Sequence, residues 1–281
     1  MGVAGVLAAA VPSRPLAEYT EVFYPSAQLR IQAYLYKPEG EGPFPVVIYN
    51  HGSRLGQERH SAPFEHIGRL LTRAGYMALV PERRGYGRSD GLTWPEDVGN
   101  NKARLVGRLN DETDDVLAAV DYLRTLPFVD TKRVGIMGWS FGGVVTMFAV
   151  SRSPAFAAAV NQAGGALTWN DNPGIRSALV AAAEKVTTPT LLLVAENDRT
   201  TASITAVDAI LTRRGVTHRM VIYPPFAPRQ QTFADKAPGH QVFSARGVTV
   251  WERDVLEFLA GYLGGAPRSQ LGADALTFRR R

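Results

Sequence analysis

The chain predicts an α/β fold with a mostly parallel central sheet and helices on both faces. Short β-branched runs alternate with segments of helical periodicity along most of the 281 residues. Several of these runs are apolar throughout, as is typical of strands buried on both faces of a parallel sheet. Near the amino terminus the runs instead alternate apolar and polar residues, which predicts antiparallel strands at one end of the sheet.

The first strands are predicted at residues 20–24 and 29–36. The second run reads Leu29-Arg30-Ile31-Gln32-Ala33-Tyr34-Leu35-Tyr36, a strict alternation over most of its length, and Pro25-Ser26 separates it from the first. Proline and serine are common in tight turns. We therefore expect an antiparallel pair.

The remaining strands and helices follow in alternation. Strands of the parallel part are predicted at 46–49, 76–80, 133–137, 157–160, 189–194 and 219–223. Helices are predicted at 62–74, 111–126, 144–150, 177–185, 208–214 and 250–263. A polar loop, rather than a helix, is expected from residue 84 to about Leu105.

Residues 161–187 are the place where a lid would be expected. This segment separates two predicted strands and contains one plausible helix, 177–185. A lid domain needs several helices, so no large lid domain is predicted.

The division of the chain is predicted as a single α/β domain at 18–264, an amino-terminal arm at 1–17 and a carboxyl-terminal tail at 265–281. The apolar, alanine-rich start, Gly2 to Val11, is interpreted either as the remnant of a leader or as a loosely docked arm. Both a cytoplasmic protein and one exported after leader removal stay open. No stretch reaches the roughly 18 apolar residues that a membrane-spanning helix needs, so no transmembrane segment is expected.

Composition excludes several classes of site. The chain has no cysteine, which rules out disulfides, thiolate metal sites and a cysteine nucleophile. Its net charge of +5 is spread along the chain without a basic stripe that alternates with aromatic residues. Nucleic-acid binding is therefore not expected. The expected partner is a small-molecule ester, and a homodimer is an open alternative to a monomer.

Ser140 is the candidate nucleophile. It lies in Gly138-Trp139-Ser140-Phe141-Gly142-Gly143, between an apolar run and a helical pattern. Such a strand-to-helix turn brings the residues two before and two after the serine together, which requires glycine at both positions. The bare pentapeptide would arise by chance in about one such chain in ten, so the prediction depends on this context.

His240 is the candidate base among five histidines. A histidine can take the serine proton near neutral pH because its ordinary pKa is about 6.5. Catalytic groups of open α/β sheets gather at the carboxyl ends of the strands. His218 precedes a predicted strand, whereas His240 follows the last strand and precedes the terminal helix.

Glu196 and Asp198 are the candidate orienting acids, since both follow the predicted strand 189–194. Asp198 is favoured because it lies further beyond the strand end and its shorter side chain has less rotamer freedom. Glu196 is then expected to be a loop residue that pairs with Arg199.

Two backbone N–H groups are the candidate oxyanion donors. Phe141 supplies one at the start of the helix that follows Ser140, and Ser53, favoured over Arg54, supplies the other from the loop after strand 46–49. His51, in the same loop, is interpreted as structural. An open cleft is expected, bordered by Trp139, Phe141, Trp94 and Trp169, so short acyl groups should be preferred.

No metal or organic cofactor is predicted. The glycine-rich stretch 84–91 has one Gly-x-Gly pair, no glycine three residues beyond it, and no helix directly after it. It therefore does not match a dinucleotide-binding turn. The chain also lacks a P-loop and a His-Glu-x-x-His sequence.

Taken together, these motifs resemble the α/β-hydrolase superfamily, and within it the dienelactone-hydrolase-like and prolyl-oligopeptidase-like esterases. The resemblance covers about Glu18 to Leu263 and rests on Asn50-His51-Gly52, Arg84-Gly85-Tyr86-Gly87-Arg88-Ser89, the Ser140 motif, Asp198 and Gly239-His240. Dienelactone hydrolases proper differ in carrying cysteine at the nucleophile, and oligopeptidases carry a large propeller for which this chain has no room.

The resemblance implies an α/β-hydrolase fold and a serine carboxylic-ester hydrolase with Ser140, Asp198 and His240 as its triad. It points to Asp198 through its position three residues after Ala195. A small-peptide or amide hydrolase and a thioesterase share the same machinery and stay open as alternatives. A non-catalytic binding protein on the same scaffold is the alternative from another class.

Overall fold

Eight strands form one sheet in the computed structural model, which describes residues 18–227 and 237–264. They are β1 (Tyr19–Ser26), β2 (Leu29–Tyr36), β3 (Phe44–Asn50), β4 (Met77–Glu82), β5 (Val129–Trp139), β6 (Ala158–Gln162), β7 (Thr190–Ala195) and β8 (His218–Tyr223). The sheet order is β1-β2-β4-β3-β5-β6-β7-β8. The β1–β2 and β2–β4 pairs are antiparallel and all the others are parallel. The predicted mostly parallel sheet with antiparallel amino-terminal strands is confirmed.

Seven α-helices and one 3₁₀ helix connect or follow the strands within the described residues. They are α1 (Glu65–Arg73), α2 (Trp94–Asp97), α3 (Arg104–Arg124), α4 (Phe141–Arg152), α5 (Pro173–Ala183), α6 (Ala202–Arg213), the 3₁₀ helix Pro238–Phe243, and α7 (Val248–Leu263). Gly135 of β5 faces Leu259 and Leu263 of α7, whereas Gly138 faces α4. Residues an odd number of positions apart point to opposite faces of a sheet, so these two helices cover opposite faces.

The middle of the sheet is the most deeply buried part of the core. Val46, Val47 and Ile48 of β3 have no exposed surface, and neither do Ile136 and Met137 of the neighbouring β5. This burial on both faces explains why these strands read as continuous apolar runs. It also places the ends of β3 and β5 side by side, because Asn50 is in register with Gly138.

Several predicted helix boundaries were wrong. The helix predicted at 177–185 spans Pro173–Ala183, and the one predicted at 208–214 begins at Ala202. The third helix begins at Arg104 rather than Asp111, because the acidic residues taken for its first turn instead pair with arginines, Asp111 with Arg104 and Asp115 with Arg84. The first helix begins at Glu65 rather than at residue 62, after Phe64 with a φ of 51°.

The expected loop from residue 84 to Leu105 also contains a short helix, α2, which the prediction missed. It begins with a capping box, in which Glu96 accepts hydrogen bonds from the backbone and hydroxyl of Thr93. Thr93-x-x-Glu96 followed by a helix is the signal that would have found it.

Between β6 and β7 the chain forms α5 and turns, with no large lid domain. No helix among residues 18–227 and 237–264 has the length and apolar character needed to cross a membrane. The predicted arm at 1–17 and tail at 265–281 lie outside the described residues.

Candidate active site

Ser140 lies alone between β5 and α4, in a strained backbone conformation. Its φ of 59° and ψ of −121° are unusual for a residue with a side chain. The conformation is held from both sides. The Ser140 N–H donates to the Gln162 carbonyl at 2.8 Å, and the Ser140 carbonyl accepts from Gly143 N–H at 3.0 Å. Strain of this kind persists where surrounding contacts over-determine it, and it is common at functional sites.

The two glycines of the turn are required by close backbone contacts. A methyl group built at Gly138 would lie 2.2 Å from the Gly142 carbonyl oxygen, as the turn geometry predicts. A methyl group at Gly142 would lie 2.0 Å from the Asn50 carbonyl oxygen. Neither position could hold a larger residue without moving backbone. The turn is thus packed directly against the loop that follows β3.

Asp198 and His240 form a buried hydrogen-bonded pair. The Nδ1 atom of His240 lies 2.8 Å from Oδ2 of Asp198, and the two residues are 3% and 8% exposed. Because a carboxylate can only accept, Nδ1 carries the proton. The other ring nitrogen, Nε2, is buried and has no hydrogen-bond partner among the described residues. The imidazole therefore presents an unprotonated Nε2 that can accept a proton.

The backbone of His240 is anchored to the residue before Ser140. The indole Nε1–H of Trp139 donates to the His240 carbonyl at 3.1 Å, and the two rings lie 5.6 Å apart. This contact ties the 3₁₀ helix to the end of β5. Trp139, predicted as a cleft residue, also supports the histidine.

Glu196 has different surroundings. It is exposed, and β7 ends at Ala195, one residue later than predicted. The expected pairing of Glu196 with Arg199 is wrong, because the Arg199 guanidinium instead pairs with Asp171. Of the two candidate acids, the structure brings Asp198 to His240.

The loop after β3 passes beside Ser140. A methyl group built at Gly52 would lie 3.2 Å from Cβ and 3.8 Å from Oγ of Ser140. Among the described residues, the backbone N–H groups of Ser53 and Phe141 donate no hydrogen bond. The Phe141 N–H is also at the positive end of the α4 dipole. Phe141 directly follows Ser140 and Ser53 directly follows Gly52, so both unbonded N–H groups belong to the two segments that meet at the Ser140 turn.

His51 is held as a neutral structural residue. It is fully buried, and its Nδ1 donates to the Gly52 carbonyl at 2.7 Å. Burial, together with the nearby Arg83 and Arg54 guanidinium groups, lowers the pKa of His51 well below its ordinary value. It is thus unsuited to holding a positive charge, in agreement with its interpretation as structural.

Two of the predicted cleft tryptophans contact this edge of the sheet. Trp94 packs edge-on against Phe141 at a ring distance of 4.7 Å, and Trp139 lies against His240. Trp169 instead lies beside the Arg176 guanidinium, which donates to the Trp169 carbonyl at 2.9 Å. Its place in the cleft stays a prediction.

A buried ion-pair network behind the loop was missed by sequence reasoning. Glu112 of α3 accepts from Arg83 Nε at 2.7 Å, from Arg108 Nε at 2.9 Å and from Trp94 Nε1 at 2.6 Å. Arg83 also donates to the His51 carbonyl at 2.9 Å. The network connects the loop carrying Ser53 to the tryptophan that packs on Phe141. Arg108 and Glu112 are four residues apart on α3, a spacing that the sequence shows, but no local motif predicts Arg83 or Trp94, which are distant from Glu112 in the chain.

No group of three or more histidine, aspartate or glutamate side chains that could hold a metal ion is found in the part of the chain that the structure describes. What this edge of the sheet offers is a hydroxyl, an imidazole paired with a carboxylate, and two free N–H donors.

Comparison with known proteins identifies the family. A family model described as "Dienelactone hydrolase family" matches residues 31–263. The quorum-quenching protein AidA of Acinetobacter baumannii is 32% identical over 152 residues, which cover 54% of this chain and 44% of that protein. A Synechocystis protein that carries the name carboxymethylenebutenolidase is 26% identical over 216 residues, 73% of this chain and 83% of that protein.

A solved structure supports the fold. The acylaminoacyl peptidase of Pyrococcus horikoshii superimposes with a TM-score of 0.65 at 22% identity, over 86% of this chain and 41% of that one. The match thus spans less than half the length of AidA and of this peptidase. At such identity the likeness concerns the fold alone, which is the α/β-hydrolase fold. With most of its length matched by the family model, the chain belongs to the dienelactone hydrolase family of hydrolases.

Proposed function

We propose that the protein is a serine hydrolase that cleaves carboxylic esters of small or short-acyl substrates through an acyl-enzyme. The observation that carries the proposal is the 2.8 Å bond from His240 Nδ1 to Asp198, which leaves Nε2 free to accept a proton. Ser140, on the strained turn at the same edge of the sheet, is the nucleophile.

In the first half of the reaction, Ser140 Oγ attacks the ester carbonyl carbon and its proton passes to His240 Nε2. The negative charge that develops on the carbonyl oxygen is stabilised by the N–H groups of Ser53 and Phe141. When the tetrahedral intermediate collapses, the bond to the alkoxide breaks and His240 returns the proton to the departing oxygen. Asp198 stabilises the imidazolium throughout without taking the proton.

In the second half, water replaces the alcohol. His240 takes a proton from the water as its oxygen attacks the acyl carbon of the Ser140 ester. Collapse of this second intermediate breaks the Ser140 Oγ–acyl bond, and His240 protonates Oγ. The products are the carboxylic acid and the free enzyme, with Ser140 and His240 back in their starting protonation states.

The preference for small acyl groups is supported by the connection between β6 and β7, where α5 is the helix present. Trp94 packs against Phe141, the residue after Ser140, and so adds apolar surface beside the nucleophile turn. A panel of acetyl to palmitoyl esters, thioesters, lactones and aminoacyl amides tests this. The specificity constant should be highest for short carboxylic esters, and a rise toward palmitoyl would contradict the proposal.

The decisive variant is Ser140→Ala. It should lower turnover of a short p-nitrophenyl ester by about five to six decades, because it removes the group that forms the acyl-enzyme. Circular dichroism and thermal unfolding serve as controls for the fold. Retention of more than a few per cent of the wild-type turnover by a folded variant would overturn the assignment of Ser140.

A further inference from the structure

Asn197 contacts the segments that carry the candidate acid and the candidate base, but its side chain bonds to neither Asp198 nor His240. It follows β7 and directly precedes Asp198, so its backbone is part of the acid turn. Its side chain points away from solvent toward the chain that continues from β8. Asn197 is partly buried, and all its polar side-chain atoms have partners.

The amide of Asn197 pairs with the backbone of Phe226 in the manner of a strand partner. Its Nδ2 donates to the Phe226 carbonyl at 2.9 Å, and its Oδ1 accepts from the Phe226 N–H at 2.9 Å. An amide is the side chain that can both donate and accept in this arrangement. An aspartate would place a carboxylate against the Phe226 carbonyl, and a leucine could make neither bond.

The backbone of Asn197 holds the chain next to His240. The Gly239 N–H donates to the Asn197 carbonyl at 3.2 Å. Gly239 is packed so tightly here that a methyl group on it would lie 2.4 Å from Asn197 Oδ1 and 2.5 Å from the Asp198 nitrogen. Asn197 therefore holds two segments of the chain. Its side chain binds Phe226, just after β8, and its carbonyl binds Gly239, next to His240.

We propose that Asn197 is a positioning residue that fixes the distance and angle between Asp198 and His240. This inference rests on the proposed function for its kinetic consequence, although the positioning itself needs no substrate. Its physical basis is that the acid and the base lie on separate loops. The geometry of the Asp198–His240 hydrogen bond therefore depends on the contacts that hold these two loops together.

The test replaces Asn197 by alanine in the full-length protein. Loss of both amide bonds should loosen the Asp198–His240 contact, lowering kcat for the short ester by about 10- to 100-fold while KM changes by less than about threefold. Because Asp198 Oδ2 accepts the Nδ1 proton of His240, loosening this contact should also move the Nδ1–H resonance of His240 upfield in the NMR spectrum.

The Nδ1–H resonance of His240 is measured by NMR of isotope-labelled histidine, with His240→Gln used to assign the signal. This readout does not require turnover. If the wild-type protein cleaved no ester, the proposed function would fail, yet a shifted Nδ1–H resonance in Asn197→Ala would still support the positioning role. An unchanged resonance with normal catalysis in Asn197→Ala would overturn the positioning role alone.

Asn172→Ala is the matched control. Asn172 accepts a hydrogen bond from the Ile175 N–H at the start of α5, so its loss should lower the midpoint temperature of unfolding and leave His240 unaffected. A similar shift in both variants would mean that general destabilisation, rather than positioning, is responsible.

A double-mutant cycle with Asp198→Asn tests whether Asn197 acts through the Asp198–His240 bond or independently of it. If Asn197 acts through the Asp198–His240 bond, Asn197→Ala should cost less than about threefold in kcat once Asp198 is changed. Additive losses would overturn the proposal. Should Asn197→Ala fail to fold, the nearly isosteric Asn197→Asp keeps the bond from Phe226 N–H and loses the one to its carbonyl. An unchanged kcat in that variant would likewise overturn it.

Discussion

At the scale of single residues, Asp198 and Glu196 share one turn but differ in what holds them. Both carboxylate oxygens of Asp198 are engaged, one by His240 Nδ1 and the other by the Arg199 backbone N–H at 2.7 Å. Glu196 is exposed, and its carboxylate makes no hydrogen bond among the described residues. An acid that orients an imidazole must itself be immobile, so the two should differ in their effect on turnover.

We therefore expect Asp198→Asn to lower kcat by up to about four decades, since an amide at this position favours the wrong imidazole tautomer. Glu196→Gln, equally close in shape, should lower kcat by less than one decade. Steady-state kinetics with a short ester measures both. The reverse result would make Glu196 the orienting acid and would conflict with the Asp198–His240 bond in the structure.

At the scale of elements, the nucleophile turn is a three-way contact between β5, α4 and the loop after β3. Gly142 fits between its own helix and the Asn50 carbonyl, and Asn50 also donates from Nδ2 to Thr146 Oγ1 at 3.0 Å. The loop that carries Ser53 is thus held by the helix that carries Phe141. The spacing of the two proposed oxyanion donors depends on this packing.

Gly142→Ala should destabilise the protein by about 3 kcal/mol, the upper end of the usual cost of overpacking, because its methyl group would overlap a backbone oxygen that cannot rotate away. Gly261→Ala is the control, since Gly261 is exposed on α7 with open space around its Cα. In that helix alanine should raise the free energy of unfolding by about 0.5–1 kcal/mol. Urea denaturation measures both, and equal effects would contradict the packing argument.

At the scale of the whole molecule, two histidines make the stability depend on pH. Burial and the Arg69 guanidinium lower the pKa of His66 to about 4, and the pKa of His51 is also held well below its ordinary value. Below about pH 6.5 the unfolded chain binds protons at these positions while the folded protein does not. The contribution of these histidines to stability is therefore complete above about pH 6.5 and is lost as the pH falls.

His66→Leu should flatten this dependence. As the pH falls from about 6 to 4, the wild-type protein should lose about 1.4 kcal/mol of unfolding free energy per pH unit through His66, and the variant should not lose this part. Urea unfolding of wild type and variant at several pH values measures the difference, in which the titration of other groups cancels. Parallel curves would show that His66 is protonated in the folded protein.

The sheet, the turn at Ser140 and the order of the candidate nucleophile, acid and base could be predicted from the amino-acid sequence. These features depend on local spacing, such as apolar runs for buried strands and glycines two positions either side of Ser140. A strand end also predicts which edge of the sheet a following residue reaches, which is why Asp198 and His240 could be placed at one edge in advance.

The long-range partners of charged and amide side chains could be identified from the three-dimensional structure but not from the sequence. Three contacts join residues far apart in the chain: Arg199 with Asp171, Arg83 with Glu112, and Asn197 with Phe226. A charged or amide side chain gains most from a partner that is buried with it, and burial is a property of the packed molecule. Local sequence patterns do not identify that partner, so these contacts could be found only in the folded structure.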